Sequence, residues 1–463
     1  MYNQRTDNRT RDGEMDALLK RARELYKIST PVVLENIFIT LMGIISTVMV
    51  ASVGRHAISA VGMIDSVSNL IIAFFSALTT GGTIVVAQYC GRGDRENACR
   101  AGAQAIVISF FLSFAVLFVL ALFRESVIDF LYGRAEDEVI RGANLFMLVV
   151  NFSYPPLAVL QTVFGILRGS GDTGTPMKIS IMMNVINVLI GRVLISGALF
   201  FPALGVAGAA WGLFISRLAG LAVAAFYIAR KSETIRINRP SYFTPDFKIQ
   251  KVILRFGVPT SVESGLFQVG KMITQIFIVS MGTAALVANS VGNAVFNFIN
   301  VPGSAFSTAV MILVGQRIGR GESGDVKKTI LFSVFAGSAM LGALCLACFP
   351  LTGFIIGMYR ADAEAAVMIR QLFYTSFLMT PLFWSVSFIV PSGLRAAGDV
   401  KFTMVISVAT MFAVRICVGY ALGVWTGLGV LGVWIGMYAD WAVRGAVYCV
   451  RLGGDKWKGR GIA

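Results

Sequence analysis

Apolar residues in this chain come in long unbroken runs rather than at the intervals of a half-buried strand or a one-faced helix. Residues 103–123, 272–316 and 329–359 contain no Asp, Glu, Lys or Arg. About 20 consecutive apolar residues suffice for a helix to cross a bilayer, so these runs predict membrane spans. Glycine, proline and charged clusters divide the chain into twelve expected helices. Their bounds are near 28–54, 60–88, 99–123, 141–166, 176–200, 207–229, 252–281, 288–316, 328–352, 365–393, 402–424 and 430–450. Residues 1–27 are polar and hold no apolar core of a cleavable signal, so the first span is expected to direct insertion.

The basic residues sort by side once the spans are placed. Of the 40 Lys and Arg, 29 fall in the N-terminal tail, the alternate loops and the C-terminal tail that an even number of spans puts on one side. Six fall on the other side, at Arg55, Arg124, Arg134, Arg141, Arg360 and Arg370. Arg192, Arg217, Lys271, Arg415 and Arg444 lie inside spans. The positive-inside rule then predicts that both termini are cytoplasmic.

The order of motifs repeats. "LRGSGDTGTP" at 167–176 returns as "LRAAGDVKFT" at 394–403, "AQYCGRGD" at 87–94 as "GQRIGRGE" at 315–322, and "LGVAGAAWG" at 204–212 as "LGVLGVWIG" at 428–436. Pro31 and Glu35 return as Pro259 and Glu263, and Arg192 as Arg415. Because each copy holds six spans, both enter the membrane from the same side, which is a parallel repeat. The expected organisation is an all-α membrane protein of twelve transmembrane helices in two pseudo-symmetric six-helix bundles. A cytoplasmic tail (1–27) precedes the first bundle (28–229), a basic linker (230–251) follows it, and the second bundle (252–450) ends in a second tail (451–463). Two such bundles around a cleft suit alternating access. Arg168, Gly171 and Asp172, with Arg395, Gly398 and Asp399, form the turns closing the loop after the fourth helix of each half; Gly and Asp favour such turns.

Composition narrows the function. The chain is 56% hydrophobic and 14% charged, with a mean hydropathy of +0.74. A net charge of +15 would point to nucleic acid in a soluble protein; beside membrane spans it reads as a topology signal facing anionic headgroups. The partners expected are the lipid bilayer and small organic molecules, with no nucleic acid, and a monomer is expected. "GSGDTG" lacks the pattern and the preceding strand of a phosphate loop, so no ATP site is expected. The six cysteines include Cys345 and Cys348 in one apolar span, without a second pair, and the one histidine is His56. No metal site, no cofactor and no histidine catalysis are expected. A membrane-embedded acyltransferase would need polar catalytic residues that are missing here. A channel would be told apart by its conductance.

The motifs at 167–177, 87–94 and 429–437, together with "DWAVRG" at 440–445, resemble those of the multidrug and toxic compound extrusion (MATE) family, over essentially the whole chain. The resemblance implies an antiporter of the bacterial inner membrane that exports organic, often cationic, compounds in exchange for Na⁺ or H⁺. Many members carry an aspartate in the first helix, within a Val-Asp-Thr pattern; this chain has Ile45-Ser46-Thr47. Some carry a glutamate about two turns after the proline of the seventh helix. That position is Phe267 here, so the role passes to Glu263.

Charges inside a bilayer need a partner or a wet cavity. Asp440 and Arg415 are expected at similar depth, with Arg444 one turn from Asp440. They form either a structural ion pair or part of the coupling site. Glu35 and Glu263 follow prolines at helix starts, where the helix dipole favours a carboxylate and ion coupling is the other reading. Along the eighth helix Asn289, Asn293, Asn297 and Asn300 share a face, and the repeat equivalents of Asn293 and Asn297 are Asp65 and Asn69. With Lys271 and Gln275 these are candidates to line a hydrated cleft, the alternative being hydrogen bonds between helices. A flippase or exporter of an anionic or lipid-linked metabolite, held by Arg192 and Arg217, is the other transport reading.

Overall fold

The computed structural model describes residues 2–132, 136–197, 202–359 and 361–462. Arg134, Arg360 and residues 198–200 of the expected fifth span lie outside them. Each of the twelve expected runs coincides with helix. They are α1 (Tyr2–Ala51), α2 (Arg55–Gly91), α3 (Arg95–Tyr132), α4 (Asp137–Phe152 with Tyr154–Gly169), α5 (Gly174–Ser196) and α6 (Val206–Phe226). The second set is α7 (Phe247–Ser280), α8 (Thr283–Ile299 with Val301–Gly319), α9 (Ser323–Cys348), α10 (Ala363–Met379, then a π turn and Ser385–Ala396), α11 (Val400–Thr410, running through π turns to Trp425) and α12 (Gly429–Gly453). Among the described residues, eight of these helices are apolar and long enough to cross a membrane, and α4 and α8 qualify as bent pairs. The other two, α7 and α12, are long enough but carry Lys271, or Asp440 and Arg444, in their middle turns. The bends in α4 and α8 are both 46°. Each falls just before proline, at Pro155 and Pro302, where the missing N–H and the ring break the hydrogen-bond ladder.

The sequence repeat is also a repeat of backbone geometry. In the first "LRxxGD" turn, Gly171 N–H donates to the carbonyl of Arg168 (2.8 Å) and Asp172 N–H to that of Leu167 (3.0 Å). In the second, Gly398 donates to Arg395 (2.9 Å) and Asp399 to Leu394 (3.0 Å). These are Schellman closures, which place the residue before the aspartate at positive φ and so call for glycine. Gly171 has φ 97° and Gly398 φ 103°.

The "LGVxGxxxG" motif serves close packing. A Cβ on Gly208 would stand 2.5 Å from the Leu194 carbonyl oxygen, and one on its repeat partner Gly432 would stand 2.5 Å from the Gly423 nitrogen. Gly436 meets the backbone of Gly419 at the same 2.5 Å. Small residues four apart let two helix backbones touch within a membrane, and both halves use that device. Gly436→Ala is therefore expected to lower stability by about 1–3 kcal/mol, as overpacked cores do, read as a drop in the thermal midpoint in detergent. An unchanged midpoint would refute the close-contact role.

The chain divides into two compact units. Among the described residues, one comprises those within 34–268 with Ile462, the other those within 2–33 and 269–461. The divisions fall inside α1 and α7 rather than at the 230–251 linker. Residues 21–28 of α1 explain one of them. Leu25 and Ile28 are buried in the core of the second unit, Tyr26 sits edge-on to Phe306, and Arg21 and Glu24 pair with Asp325 and Arg317. Within the first unit, Gly81 of α2 lies against Ile253 and Gly257 of α7, with 2.5 Å between a notional Cβ and the Ile253 oxygen.

Candidate functional site

In the first unit a cavity of about 390 Å³ opens among α1, α2, α4, α5 and α6. Its wall is mostly aliphatic and methionine-bearing, with Met42 and Met49 on α1. Polar character comes from Ser46 and Thr47 on α1, Asn184 and Asn187 on α5, and Asp65 on α2, the one charged residue of the lining. Asn187 donates to Ser46 Oγ at 3.4 Å, and Asn184 to the Ser180 carbonyl at 2.8 Å. Gly191 leaves room for the Met49 methyl and for the approach of α6 at Gly212.

Arg217 is buried on α6 behind this cavity, close enough to Asp65 to feel its charge. Its guanidinium donates to Ser153 Oγ at the bend of α4. Arg192 is exposed, and neither arginine lines the cavity. Asn69, expected beside Asp65, is exposed outside the lining.

Two expected residues of the first unit meet elsewhere. Arg168, from the first "LRxxGD" turn, donates to both oxygens of Glu35 at 2.8 and 2.7 Å, and Glu35 is buried. The fork ties α1 to the end of α4, 133 positions apart in sequence. Asp172 accepts the Thr175 N–H at 3.0 Å, which caps α5, and the Tyr227 hydroxyl at 3.1 Å. Its counterpart in the second unit, Asp399, is buried and accepts from Arg451 and Arg460, each at 2.6 Å. The turn aspartates thus tie each turn to a segment downstream of it.

In the second unit the asparagine stripe is knitted to its neighbours. Asn289 donates to Gln275 of α7 at 3.0 Å and accepts from Trp434 of α12 at 3.0 Å and Asn293 at 3.1 Å. Asn300 turns back to the Phe296 carbonyl at 2.9 Å, and Asn293 and Asn297 remain exposed. Lys271 lies within reach of the charge of Arg415, which a π turn of α11 presents. Glu263 is buried on the part of α7 that belongs to the first unit.

Asp440 is completely buried on α12. Among the described residues neither of its oxygens has a hydrogen-bond partner. Arg444 stands with N···O 3.9 Å from it, and Arg415 is close enough to act on it electrostatically. Arg444 is itself held by Ser387 Oγ at 2.7 Å and lies 4.6 Å over the Phe388 ring. A buried carboxylate that accepts no hydrogen bond and meets its cation only at 3.9 Å is poorly compensated.

Sequence reasoning missed Asn184, Asn187 and Gly191. The available signal was the spacing of Asn184 and Asn187, three apart on an otherwise apolar helix.

Known proteins resemble the chain over most of its length. It is 27% identical over 439 residues to the uncharacterized transporter YisQ of Bacillus subtilis, covering 95% of this chain and 96% of that one. To the probable multidrug resistance protein NorM of Thermotoga maritima it is 25% identical, with 95% and 94% covered. The fold matches a solved outward-facing multidrug resistance MATE family transporter of the MOP superfamily, with TM-score 0.85, 19% identity and 94% and 97% coverage. It also matches a solved single-residue mutant of the Vibrio cholerae MATE transporter VcmN, with TM-score 0.86, 18% identity and 95% and 97% coverage. The MatE family model matches residues 31–193 and again 259–421, one match per repeat. The chain belongs to the MATE family of multidrug efflux transporters.

Proposed function

We propose that this chain exports organic cations and cationic amphiphiles in exchange for Na⁺ or H⁺ by alternating access. In this reading it works as a monomer in the bacterial cytoplasmic membrane, with both termini inside and no resident cofactor. The observation that carries the substrate class is the cavity of the first unit, apolar and amide-lined with one acid and no base. A low-dielectric wall with a single carboxylate favours a large monovalent cation, and methionines adapt to varied shapes. An anionic or lipid-linked substrate would need basic residues in that wall, and Arg192 and Arg217 are not in it.

For coupling, Ser46 offers no carboxylate and Glu35 is engaged by Arg168. Asp440, buried and without hydrogen bonds, is the better placed acid to exchange a cation, with Glu263 as the other candidate. The test uses proteoliposomes loaded with ethidium, with a Na⁺ gradient and a pH gradient imposed separately. One gradient is expected to drive dye movement, and Asp440→Asn or Glu263→Gln to abolish it. Failure of both gradients to move dye, in folded protein, would reject the antiport reading.

A further inference from the structure

A second cavity, of about 550 Å³, lies far from this chemistry in the first unit, where the linker crosses the start of α3. Arg100 and Lys248 stand in its wall with Ser241, Tyr242 and Thr244. Its shape is built by one buried side chain. Gln104 donates to the carbonyls of Tyr242 and Thr244, both at 2.8 Å, and accepts from Asp246 N–H at 3.0 Å and Gln250 at 2.8 Å. All its hydrogen-bonding capacity goes to holding the linker loop in place. The repeat equivalent of Gln104 is Phe332, so the second half has no such staple.

The charges in this wall are unequal. Asp246 accepts the N–H groups of Lys248 and Ile249 at 3.0 and 3.3 Å, capping α7. Arg100 and Lys248 are exposed and have no ion-pair partner among the described residues. Phe243 and Phe247 flank the cavity, 41% and 78% exposed. Two cations beside bare aromatic rings, at the end of apolar helices, fit a membrane interface, where rings sit at headgroup depth and cations meet phosphate.

We infer that the linker pocket framed by Arg100 and Lys248 binds the phosphate of an anionic phospholipid headgroup, with Phe243 and Phe247 seated in the adjoining interface. The ligand chemistry is a phosphate oxyanion; the bare phenylalanines assign it to a lipid rather than to a soluble phosphate. This is independent of what the transporter carries.

The test reconstitutes the full chain in nanodiscs of phosphatidylcholine containing a minority of phosphatidylglycerol and counts retained phosphatidylglycerol by native mass spectrometry. Each cation removed is expected to cost about fivefold in retention, so Arg100→Gln with Lys248→Gln should lose about 25-fold. Lys327→Gln with Lys328→Gln, two exposed lysines on the second unit, should lose little. Phe243→Ser with Phe247→Ser should weaken retention with the charges intact. Equal losses in the two lysine and arginine pairs would mean diffuse attraction and overturn the site. Displacement of the lipid by soluble glycerol phosphate, with the phenylalanine variant unaffected, would overturn the lipid assignment. All these side chains are surface groups, and unchanged melting checks that the variants fold.

Discussion

Asp65→Asn is expected to weaken binding of ethidium or tetraphenylphosphonium by roughly 10- to 150-fold while leaving the fold intact. Asp65 is the one charged group in the lining of a cavity otherwise built of aliphatic side chains, amides and hydroxyls. A charge-assisted contact contributes about 1.5–3 kcal/mol, which is that range of affinity. Asn keeps the shape and removes only the charge. Asp65 opens into the cavity, and Arg217 behind it keeps its bond to Ser153. Because Arg217 loses the field of this carboxylate but keeps that bond, the thermal midpoint should fall by less than Asp440→Ala lowers it. Fluorescence titration in detergent measures affinity without any gradient, so it separates recognition from coupling. A neutral amphiphile of similar size should bind wild type and variant alike. Equal loss for the cation and the neutral compound would show that Asp65 shapes the cavity rather than its charge preference.

The spans were legible because bilayer hydropathy is written locally: a run such as 103–123 can do little else but cross a membrane. The repeat was legible because its markers are backbone requirements. Gly171 and Gly398 must reach positive φ, and Gly208 and Gly432 must let another helix touch. What was hidden is tertiary. Residues 1–27 read as a tail because Leu25 stands among charged residues, yet it is buried in the second unit's core. Glu35 finds Arg168 across 133 positions, a distance no periodicity encodes. The asparagines of α8 share a face as their spacing requires. That face is half buried: Asn289 is bound to Gln275 and Trp434, whereas Asn297 is exposed. Helical spacing fixes which side chains align but not which of them meet a neighbour. The cavity draws its polar groups from α1, α2 and α5, each contributing one or two, and so left no dense motif to read.

Asp440→Ala is expected to destabilise the protein by about 3–5 kcal/mol, the cost of leaving buried cations without their anion. Arg444 is buried one turn away, and Arg415 also acts on this carboxylate, so both guanidiniums lose its field. Asp440→Asn should cost less, because the carboxamide fills the same space and adds hydrogen-bond capacity. A double variant, Asp440→Ala with Arg444→Met, should recover part of the loss, since apolar replacement of a buried pair is often neutral or stabilising. Arg415 limits that recovery, because its charge stays behind. Melting of wild type, Asp440→Ala, Arg444→Met and the double variant in one detergent gives the coupling energy directly. Asp440→Asn in proteoliposomes then separates two roles. If it melts below wild type and still carries dye down a gradient, the carboxylate is a structural counter-charge to Arg444 and Arg415 rather than the coupling group. If it melts near wild type and gradient-driven movement stops while dye binding at the first unit's cavity persists, Asp440 is the carboxylate that exchanges the coupling cation.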